Sequence, residues 1–572
     1  MVEESTLPIR GDRRMPSLEL RIERLERLVG KKLNLKELEY DLQWISLDLE
    51  DINHEEHTIK VEYNPNRPDF SSPEGIARAL KGYYELALGI PQYEIKPGNV
   101  VLNVEPEVNK VRPYIVCGVV RNIDLDEEEV ATLMNIQEHL HWAVGRDRKK
   151  VAIGVHDFDK VEPPYRYTAV KPDSISFVPL HGDGYPMNLE EILLLHDKGM
   201  EYAHILEGKE VYPIIFDKKD QVLSFPPIIN GELTTVTDDT KNLFLDLTGT
   251  DFKAVNLALN ILSTTLADMG AEIESVKVVY GTEKEIITPN LTPKKWEVNI
   301  DYINSFLGLK LSAEEIIKCL GKVRMNAAKS KRKGYLEVEV PAYRGDLMHP
   351  VDFTEEVAIG YGYFNIPKTI REGGVGQYHP IQSFLNKLRI IMIGAEYLEV
   401  LNFILSNSER DYLYMRHEFK KTNLIQIANP VSKEYDTTRT TILPKLMETL
   451  RFNRSEEKPI KIFEVGDVLL LSPKEETGAK REVHLAAVSY HEDADFTEIR
   501  STLDYVMSSL GVDSDYSIKS VVNPSYIEGR SGDIIYKKVK VGEIGELQPE
   551  VILNYKLEFP VAGFELNLQK FI

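Results

Sequence analysis

Apolar positions repeat with a helical period in some segments of the chain and with a strand period in others. Apolar residues three or four positions apart predict amphipathic helices at residues 18–29, 73–88, 127–144, 252–269, 313–320, 383–397 and 496–511. Apolar residues at every second position predict strands at residues 100–108, 114–122, 335–340, 460–471, 484–490, 533–546 and 561–568. Because helices and strands are mixed along the chain, the pattern predicts an α+β protein.

Several of these helices carry recognisable start and stop signals. Ser72 is a suitable N-cap and Pro73 suits the first helical position, so a helix should begin there. This helix is expected to stop at Gly89. Ser312 and Glu315 have the spacing of a capping box, which predicts the start of the helix at 313–320.

With 572 residues the chain is too long for one hydrophobic core, and roughly three to five domains are expected. Shifts in the pattern place domains at residues 1–90, 91–284, 285–367 and 368–572. The second is rich in short strands, and the third is a small α+β unit. In the fourth, strand pairs joined by tight turns indicate an antiparallel sheet with helices packed on it.

Charge and cysteine content narrow the function classes. The net charge is −22, from 91 acidic and 69 basic residues, so the chain has no general basic surface and any RNA contact must be local. The two cysteines, Cys117 and Cys319, are too far apart and too isolated to suggest a disulfide framework or zinc site. No segment approaches the ~18 apolar residues of a membrane span, and the first residues lack a signal-peptide core. A cytoplasmic location is expected.

Four carboxylates are concentrated in the segment RGDLMHPVDFTEE, residues 344–356. Asp352, Glu355 and Glu356 share one side of a helix if the segment after Pro350 is helical, and Asp346 precedes it. Oxygen ligands of this kind suit Mg²⁺. The alternative is structural, since acidic residues in a first helical turn complement the helix dipole and Asp352 is a fair N-cap.

A second candidate site combines LSFPPIING with the later segment NLFLDLTG. Ser224 precedes a rigid Phe-Pro-Pro turn, and Asp246 and Thr248 alternate on a predicted strand, so both face one side. These groups suit a pocket that holds an ester and positions a water, or they are hydrogen-bonded turn residues. A covalent serine mechanism is not expected, because there is no GxSxG motif and no obvious histidine base.

The basic runs GRDRKK (145–150) and KSKRK (329–333) are interpreted either as solvated turns or as phosphate contacts in an RNA-binding protein. The chain has no Walker A motif and no GxGxxG after a strand, so nucleotide binding by these routes is not supported.

Together and in this order, several segments resemble the β subunit of phenylalanyl-tRNA synthetase in its archaeal/eukaryotic form. They are residues 65–78, 223–231 with 246–248, 341–367, and 428–444 with 463–468. The chain starts without the bacterial OB-type domain and ends without the bacterial anticodon-binding domain, which favours this form.

The resemblance implies a tetramer of two α and two β subunits that joins phenylalanine to tRNA(Phe) using ATP. ATP and phenylalanine would bind to the α subunit, and residues 368–572 would form a class II synthetase-like domain without catalytic residues. The family's Mg²⁺ ligands match Asp346, Asp352, Glu355 and Glu356.

Residues 91–284 would then form an editing domain that hydrolyses Tyr-tRNA(Phe). Such a domain is needed because tyrosine is phenylalanine with one added hydroxyl, which an apolar pocket cannot strongly reject. Ser224, Asp246 and Thr248 match residues of the editing site, with Ile215 as an apolar wall and a positioned water as the nucleophile. Two alternatives remain: a non-catalytic RNA-binding or assembly protein derived from such a subunit, and a free-standing editing hydrolase.

Overall fold

The computed structural model describes residues 16–182, 184–281, 284–370, 373–420 and 423–571. They form two compact units, Met1–Ile370 and Arg371–Ile572. The described part of the chain holds no helix that is long and apolar enough to cross a membrane.

The first unit begins with a small α+β region whose antiparallel sheet has the order β1-β3-β2. Its elements are β1 (Ser17–Arg21), α1 (Ile22–Val29), α2 (Leu35–Trp44), β2 (Leu47–Asn53), β3 (Thr58–Tyr63) and α3 (Pro73–Tyr83). The helix predicted at 18–29 is correct only from Ile22, because the residues before it pair with β3. Ser72 caps α3 as predicted, accepting a hydrogen bond from the Gly75 amide, but α3 ends at Tyr83 rather than at Gly89.

The next region is built on a mixed sheet of ten strands with the order β12-β11-β10-β7-β4-β14-β5-β13-β6, and β15 pairs with β14. Its elements are β4 (Ile95–Val104), β5 (Tyr114–Arg121), α4 (Glu127–Ala143), β6 (Val151–Asp157), β7 (Tyr165–Val170), β8 (Ser176–Phe177), β9 (Met187–Asn188), α5 (Leu189–Leu195), α6 (Asp197–Tyr202), β10 (Tyr212–Phe216), β11 (Val222–Phe225), β12 (Ile229–Asn230), β13 (Leu243–Gly249), α7 (Phe252–Asp268), β14 (Glu272–Tyr280) and β15 (Lys284–Thr288). Every residue of β13 is buried between β5 and β6.

A three-stranded sheet with the order β16-β18-β17 completes the first unit. Its elements are β16 (Lys294–Asn299), α8 (Ile300–Leu307), α9 (Ala313–Lys322), β17 (Asn326–Lys329), β18 (Tyr335–Val340) and α10 (Pro350–Tyr361). The predicted capping box is confirmed, since Ser312 and Glu315 exchange both hydrogen bonds at the start of α9.

The second unit contains a seven-stranded sheet with the order β19-β22-β23-β27-β26-β25-β24, antiparallel except for β19 and β22. Its elements are α11 (Pro380–Gly394), β19 (Leu398–Glu399), β20 (Leu405–Ser406), β21 (Thr437–Thr438), α12 (Leu443–Phe452), β22 (Ile460–Leu471), β23 (Ala479–Tyr490), α13 (Phe496–Ser509), β24 (Tyr516–Ser520), β25 (Tyr526–Tyr536), β26 (Val539–Leu547), α14 (Pro549–Asn554) and β27 (Val561–Asn567). The predicted multidomain α+β architecture, with an antiparallel sheet in this part, is confirmed.

Candidate functional site

The ten-stranded sheet curls so that its first and last strands meet around a cavity. The side-chain amide of Asn230 in β12 donates to the Val155 carbonyl in β6, with 3.5 Å between the atoms. The cavity has a volume of about 200 Å³ and is lined by Ser224, Asp246 and Thr248 among others. The structure therefore brings together the three residues that the sequence placed in one pocket.

Ile215 does not line this cavity. It pairs with Ser224 between β10 and β11, but it is fully buried in the hydrophobic core that includes Tyr167 and Leu223. Other apolar residues supply the wall of the cavity: Met134, Ile153, Phe225, Pro226 and Ile228. The expectation for Ile215 was wrong because strand pairing puts it beside the site without exposing its side chain.

A histidine lies directly behind Asp246, although the sequence showed no obvious partner for a serine or an acid. His156 Nε2 is 2.6 Å from Asp246 Oδ2, and His156 Nδ1 is 2.7 Å from Thr234 Oγ1. His156 and Asp246 are 0% and 1% exposed. The only sequence signal for His156 was a single histidine in the apolar strand VAIGVHD. Its contact with Asp246 depends on the pairing of β6 with β13, and neither segment alone shows that pairing.

Gly154 makes room for this pair of side chains. It lies opposite Asp246 in the pairing of β6 with β13. A Cβ atom at this position would be 2.2 Å from Asp246 Oδ2 and 2.7 Å from His156 Nε2. Glycine is therefore required here by the close approach of the two side chains, not by its backbone conformation.

Thr248 is held by a buried arginine. Arg112 Nε donates to Thr248 Oγ1 at 2.9 Å, and its Nη2 donates to the backbone carbonyls of Thr248 and Arg148. Burial lowers the pKa of the Arg112 guanidinium to about 10. Because Thr248 Oγ1 accepts from Arg112, the hydroxyl hydrogen of Thr248 is left to donate to a bound molecule.

One residue of the basic run at 145–150, Arg148, lines the cavity. Arg148 is buried rather than solvated, and its guanidinium donates to the Ile228 carbonyl at 2.8 Å and to Glu138 Oε1 at 3.0 Å. The side chains of Arg146 and Lys149 are exposed. The interpretation of this run as a simple solvated turn was thus wrong for Arg148.

His141 also lines the cavity, and its Nε2 accepts a hydrogen bond from the Ile153 amide at 2.8 Å. Burial lowers the pKa of His141 to about 4. The neighbouring His141 in turn lowers the pKa of Glu138 to about 2, together with the charge of Arg148. At neutral pH the rim therefore carries a neutral imidazole beside an ionised carboxylate.

The four carboxylates of residues 344–356 do not converge. Arg344 donates to Asp346 at 2.6 and 2.8 Å and also forms an ion pair with Glu356. Glu355 accepts from the hydroxyl of Tyr363 at 2.9 Å.

Asp352 lies in the first turn of α10, as the structural alternative expected, but it is the third residue of a capping box rather than the N-cap. His349 is the N-cap, and Pro350 takes the first helical position. Asp352 Oδ2 instead accepts from the amides of Met348 and His349, each at 2.7 Å. The helix begins earlier than the acidic residues suggested because Pro350 favours the first turn.

This arrangement does not fit a shared Mg²⁺ ion, because a guanidinium already occupies the space between two of the four carboxylates. Burial would raise the pKa of Asp346, but the hydrogen bonds and charge of Arg344 hold it below its ordinary value. Within the described ranges, no group of three or more histidine, cysteine, aspartate or glutamate residues is placed to hold a metal ion. The Mg²⁺ site remains a prediction, and no chemical step is assigned to it.

Three family models match the chain. They are "B3/4 domain" at residues 127–265, "tRNA synthetase B5 domain" at 296–363 and "Phenylalanyl tRNA synthetase beta chain CLM domain" at 366–568. The cavity lies in the segment matched by the first model.

Relatives of similar length carry the name phenylalanine–tRNA ligase beta subunit. The protein from Archaeoglobus fulgidus is 43% identical over 562 residues, which cover 97% of this chain and 99% of the relative. The protein from Methanosarcina barkeri is 42% identical, with coverage of 98% and 99%. A crystal structure of an N-terminal fragment of the phenylalanyl-tRNA synthetase beta subunit from Pyrococcus horikoshii is 41% identical with a TM-score of 0.58, and it covers 61% of this chain and 100% of the fragment.

Proposed function

Since the chain belongs to the family of phenylalanine–tRNA ligase beta subunits, we propose that it attaches phenylalanine to tRNA(Phe) together with an α subunit. We further propose that its own cavity hydrolyses Tyr-tRNA(Phe), with residues 91–284 as the editing domain. The observation that carries the editing function is the convergence of Ser224, Asp246 and Thr248 on one cavity. The reaction is assigned to the cytoplasm.

Exposed apolar side chains close together in the sequence of the second unit support the assignment of an α subunit as partner. Ile390 in α11 and Leu398, Leu401 and Phe403 after it are 70%, 69%, 82% and 75% exposed. Clustered exposed apolar residues mark protein–protein contacts. In the proposed α2β2 tetramer, ATP and phenylalanine bind to the α subunit, and no residue of this chain is assigned to ATP.

The editing chemistry follows from the residues of the cavity. The cavity of about 200 Å³ is roomy enough to admit a small group together with a water molecule. Asp246 accepts a proton from a water as the water oxygen attacks the ester carbonyl, and Ser224 and Thr248 donate hydrogen bonds to the substrate. The bond from the carbonyl carbon to the ribose oxygen then breaks, and that oxygen takes the proton. Tyrosine and tRNA are released without a covalent enzyme intermediate.

Exposed cationic residues next to Arg148 in the chain support tRNA as the substrate. The side chains of Arg146 and Lys149 are exposed beside Arg148, which lines the cavity. Cationic side chains of this kind neutralise backbone phosphates. They are the natural contact for the 3′ end of the tRNA in a chain whose net charge is −22.

Co-expression with the α subunit from the same source tests both parts of the proposal. We expect the two chains to co-purify, to charge tRNA(Phe) with phenylalanine in the presence of ATP, and to hydrolyse Tyr-tRNA(Phe). Asp246→Ala should abolish hydrolysis and leave charging unchanged, because charging takes place in the α subunit. Asp220→Ala is the control, since Asp220 is exposed and paired with Arg166 outside the cavity.

Two results would contradict the proposal. Failure to associate or to charge tRNA would remove the role as a synthetase subunit. Unchanged hydrolysis by Asp246→Ala would remove the cavity from the editing reaction. Hydrolysis by this chain alone would instead support a free-standing hydrolase.

A further inference from the structure

A buried histidine stands behind the acidic group of the editing cavity, and its place in the fold points to a role. We propose that His156 is a positioning residue that fixes the Asp246 carboxylate for the attack of water. The inference rests on the proposed editing function, and it adds a residue to which neither a motif nor a resemblance had assigned a role.

The contact between the two side chains crosses the strands diagonally. In the pairing of β6 with β13, His156 lies opposite Phe244 and Asp246 lies opposite Gly154. All four positions therefore share one face of the sheet. Because Gly154 has no side chain, the imidazole reaches past it to Asp246 Oδ2 at 2.6 Å.

The other ring nitrogen is also engaged. Thr234 Oγ1 lies 2.7 Å from His156 Nδ1 and 3.3 Å from the Gly231 carbonyl. We assign the Thr234 hydroxyl hydrogen to the shorter contact, so that it donates to Nδ1. Nε2 then carries the ring hydrogen and donates it to Asp246 Oδ2 at 2.6 Å.

The same series of hydrogen bonds reaches the opposite wall of the cavity. The Gly231 amide donates to the Leu223 carbonyl at 2.8 Å, and Leu223 precedes Ser224 in β11. Asp246, His156 and Thr234 thus connect the acid on one side of the cavity with the strand that carries Ser224. The side chains of Asp246, His156 and Thr234 are almost fully buried, so water does not compete for their hydrogen bonds.

In this geometry the two carboxylate oxygens of Asp246 have different roles. With Oδ2 engaged by His156, Oδ1 is the oxygen that we assign to the attacking water. It accepts the proton of that water as the new bond to the carbonyl carbon forms, and the ribose oxygen later takes the same proton. His156 gains and loses no atom in this cycle; it keeps the carboxylate from rotating. Its loss should therefore lower kcat more than it raises KM.

Three substitutions in the α–β complex separate positioning from simple space filling. His156→Ala removes the ring, His156→Phe keeps its volume without a donor, and His156→Gln keeps an N–H that reaches Asp246. We expect the Ala and Phe variants to lower kcat for Tyr-tRNA(Phe) hydrolysis by roughly 10- to 100-fold, the range seen when partners behind metal ligands are removed. The Gln variant should recover most of that loss.

Two controls accompany these variants. Charging of tRNA(Phe) with phenylalanine should stay at the wild-type rate in every variant, which shows that the complex is assembled. His139→Phe should hydrolyse Tyr-tRNA(Phe) normally, because His139 is bonded to Tyr63 outside the cavity. If only His156→Ala unfolds at a lower temperature than wild type, the comparison of His156→Phe with His156→Gln still tests the role of the hydrogen bond.

The outcomes distinguish this inference from the function on which it rests. If wild-type complex does not hydrolyse Tyr-tRNA(Phe), the proposed function fails and His156 loses its role with it. If wild type hydrolyses and His156→Phe does so equally fast, His156 is not a positioning residue, while the editing function stands. A Gln variant as slow as the Phe variant would overturn the hydrogen-bond explanation.

Discussion

Replacing Gly154 by alanine is expected to slow editing strongly through a single added methyl group. A Cβ at this position would lie 2.2 Å from Asp246 Oδ2, whereas real Cβ contacts are essentially never shorter than 3.0 Å. Asp246 is buried and hydrogen-bonded to His156. To avoid the added Cβ, its carboxylate would have to move and give up the hydrogen bond to His156. A displacement of about 1 Å in an active site can lower the rate by about 100-fold, and this is the effect predicted for Gly154→Ala.

The assay is single-turnover hydrolysis of Tyr-tRNA(Phe) by the assembled complex, with phenylalanine charging measured in parallel. Gly118→Ala is the matched control, because Gly118 lies in β5 of the same sheet and pairs with Leu245 of β13. A Cβ there would make only ordinary contacts, at 3.5 Å and beyond. Equal hydrolysis rates for the two alanine variants would refute the reasoning, and so would a loss of charging in Gly154→Ala alone.

Three further predictions follow from buried and charged groups of the first unit. Arg344→Met should lower the free energy of unfolding in urea by about 3–5 kcal/mol, because Glu356 is left buried without its partner; a loss below about 1 kcal/mol, typical of exposed pairs, would contradict this. Burial holds the pKa of His141 at about 4, below its ordinary value of 6.5. As the pH falls from 6.5 to 4, the unfolded chain takes up a proton that the folded chain does not, so stability falls. His141→Gln should flatten this part of the stability curve, and parallel curves for variant and wild type would contradict the assignment. Replacing both Arg146 and Lys149 by alanine should raise KM for Tyr-tRNA(Phe) and reduce the slope of log affinity against log salt by about two; an unchanged slope would place the phosphate contacts elsewhere.

Local signals in the sequence were sufficient for part of the fold. The cap at Ser72 and the capping box of Ser312 and Glu315 are determined by neighbouring residues, and both were predicted correctly. The segment at residues 18–21 was not, because its pairing with a strand about 40 residues later overrides a helical spacing. Non-local pairing is the part of secondary structure that a short window cannot show.

The same distinction applies to the candidate site. Asp246 and Thr248 are two positions apart on one strand, so their common face could be predicted from alternation alone. His156 and Arg112 come from other segments, and only the tertiary fold brings them into hydrogen-bond contact with Asp246 and Thr248. For Asp352, spacing indicated a common side with the other acids, but the start of the helix at Pro350 turned its carboxylate back to backbone amides.

The most direct test of editing by this chain is the accumulation of Tyr-tRNA(Phe) when the complex is given tyrosine, ATP and tRNA(Phe). With wild-type chain, the mischarged product should be hydrolysed as it forms and should stay near background. With Asp246→Ala it should accumulate, while charging with phenylalanine is the same for both. A contradicting result would be equally low levels of Tyr-tRNA(Phe) in both complexes, together with equally fast hydrolysis of preformed Tyr-tRNA(Phe) by both. That result would show that the Asp246 cavity is not the editing site.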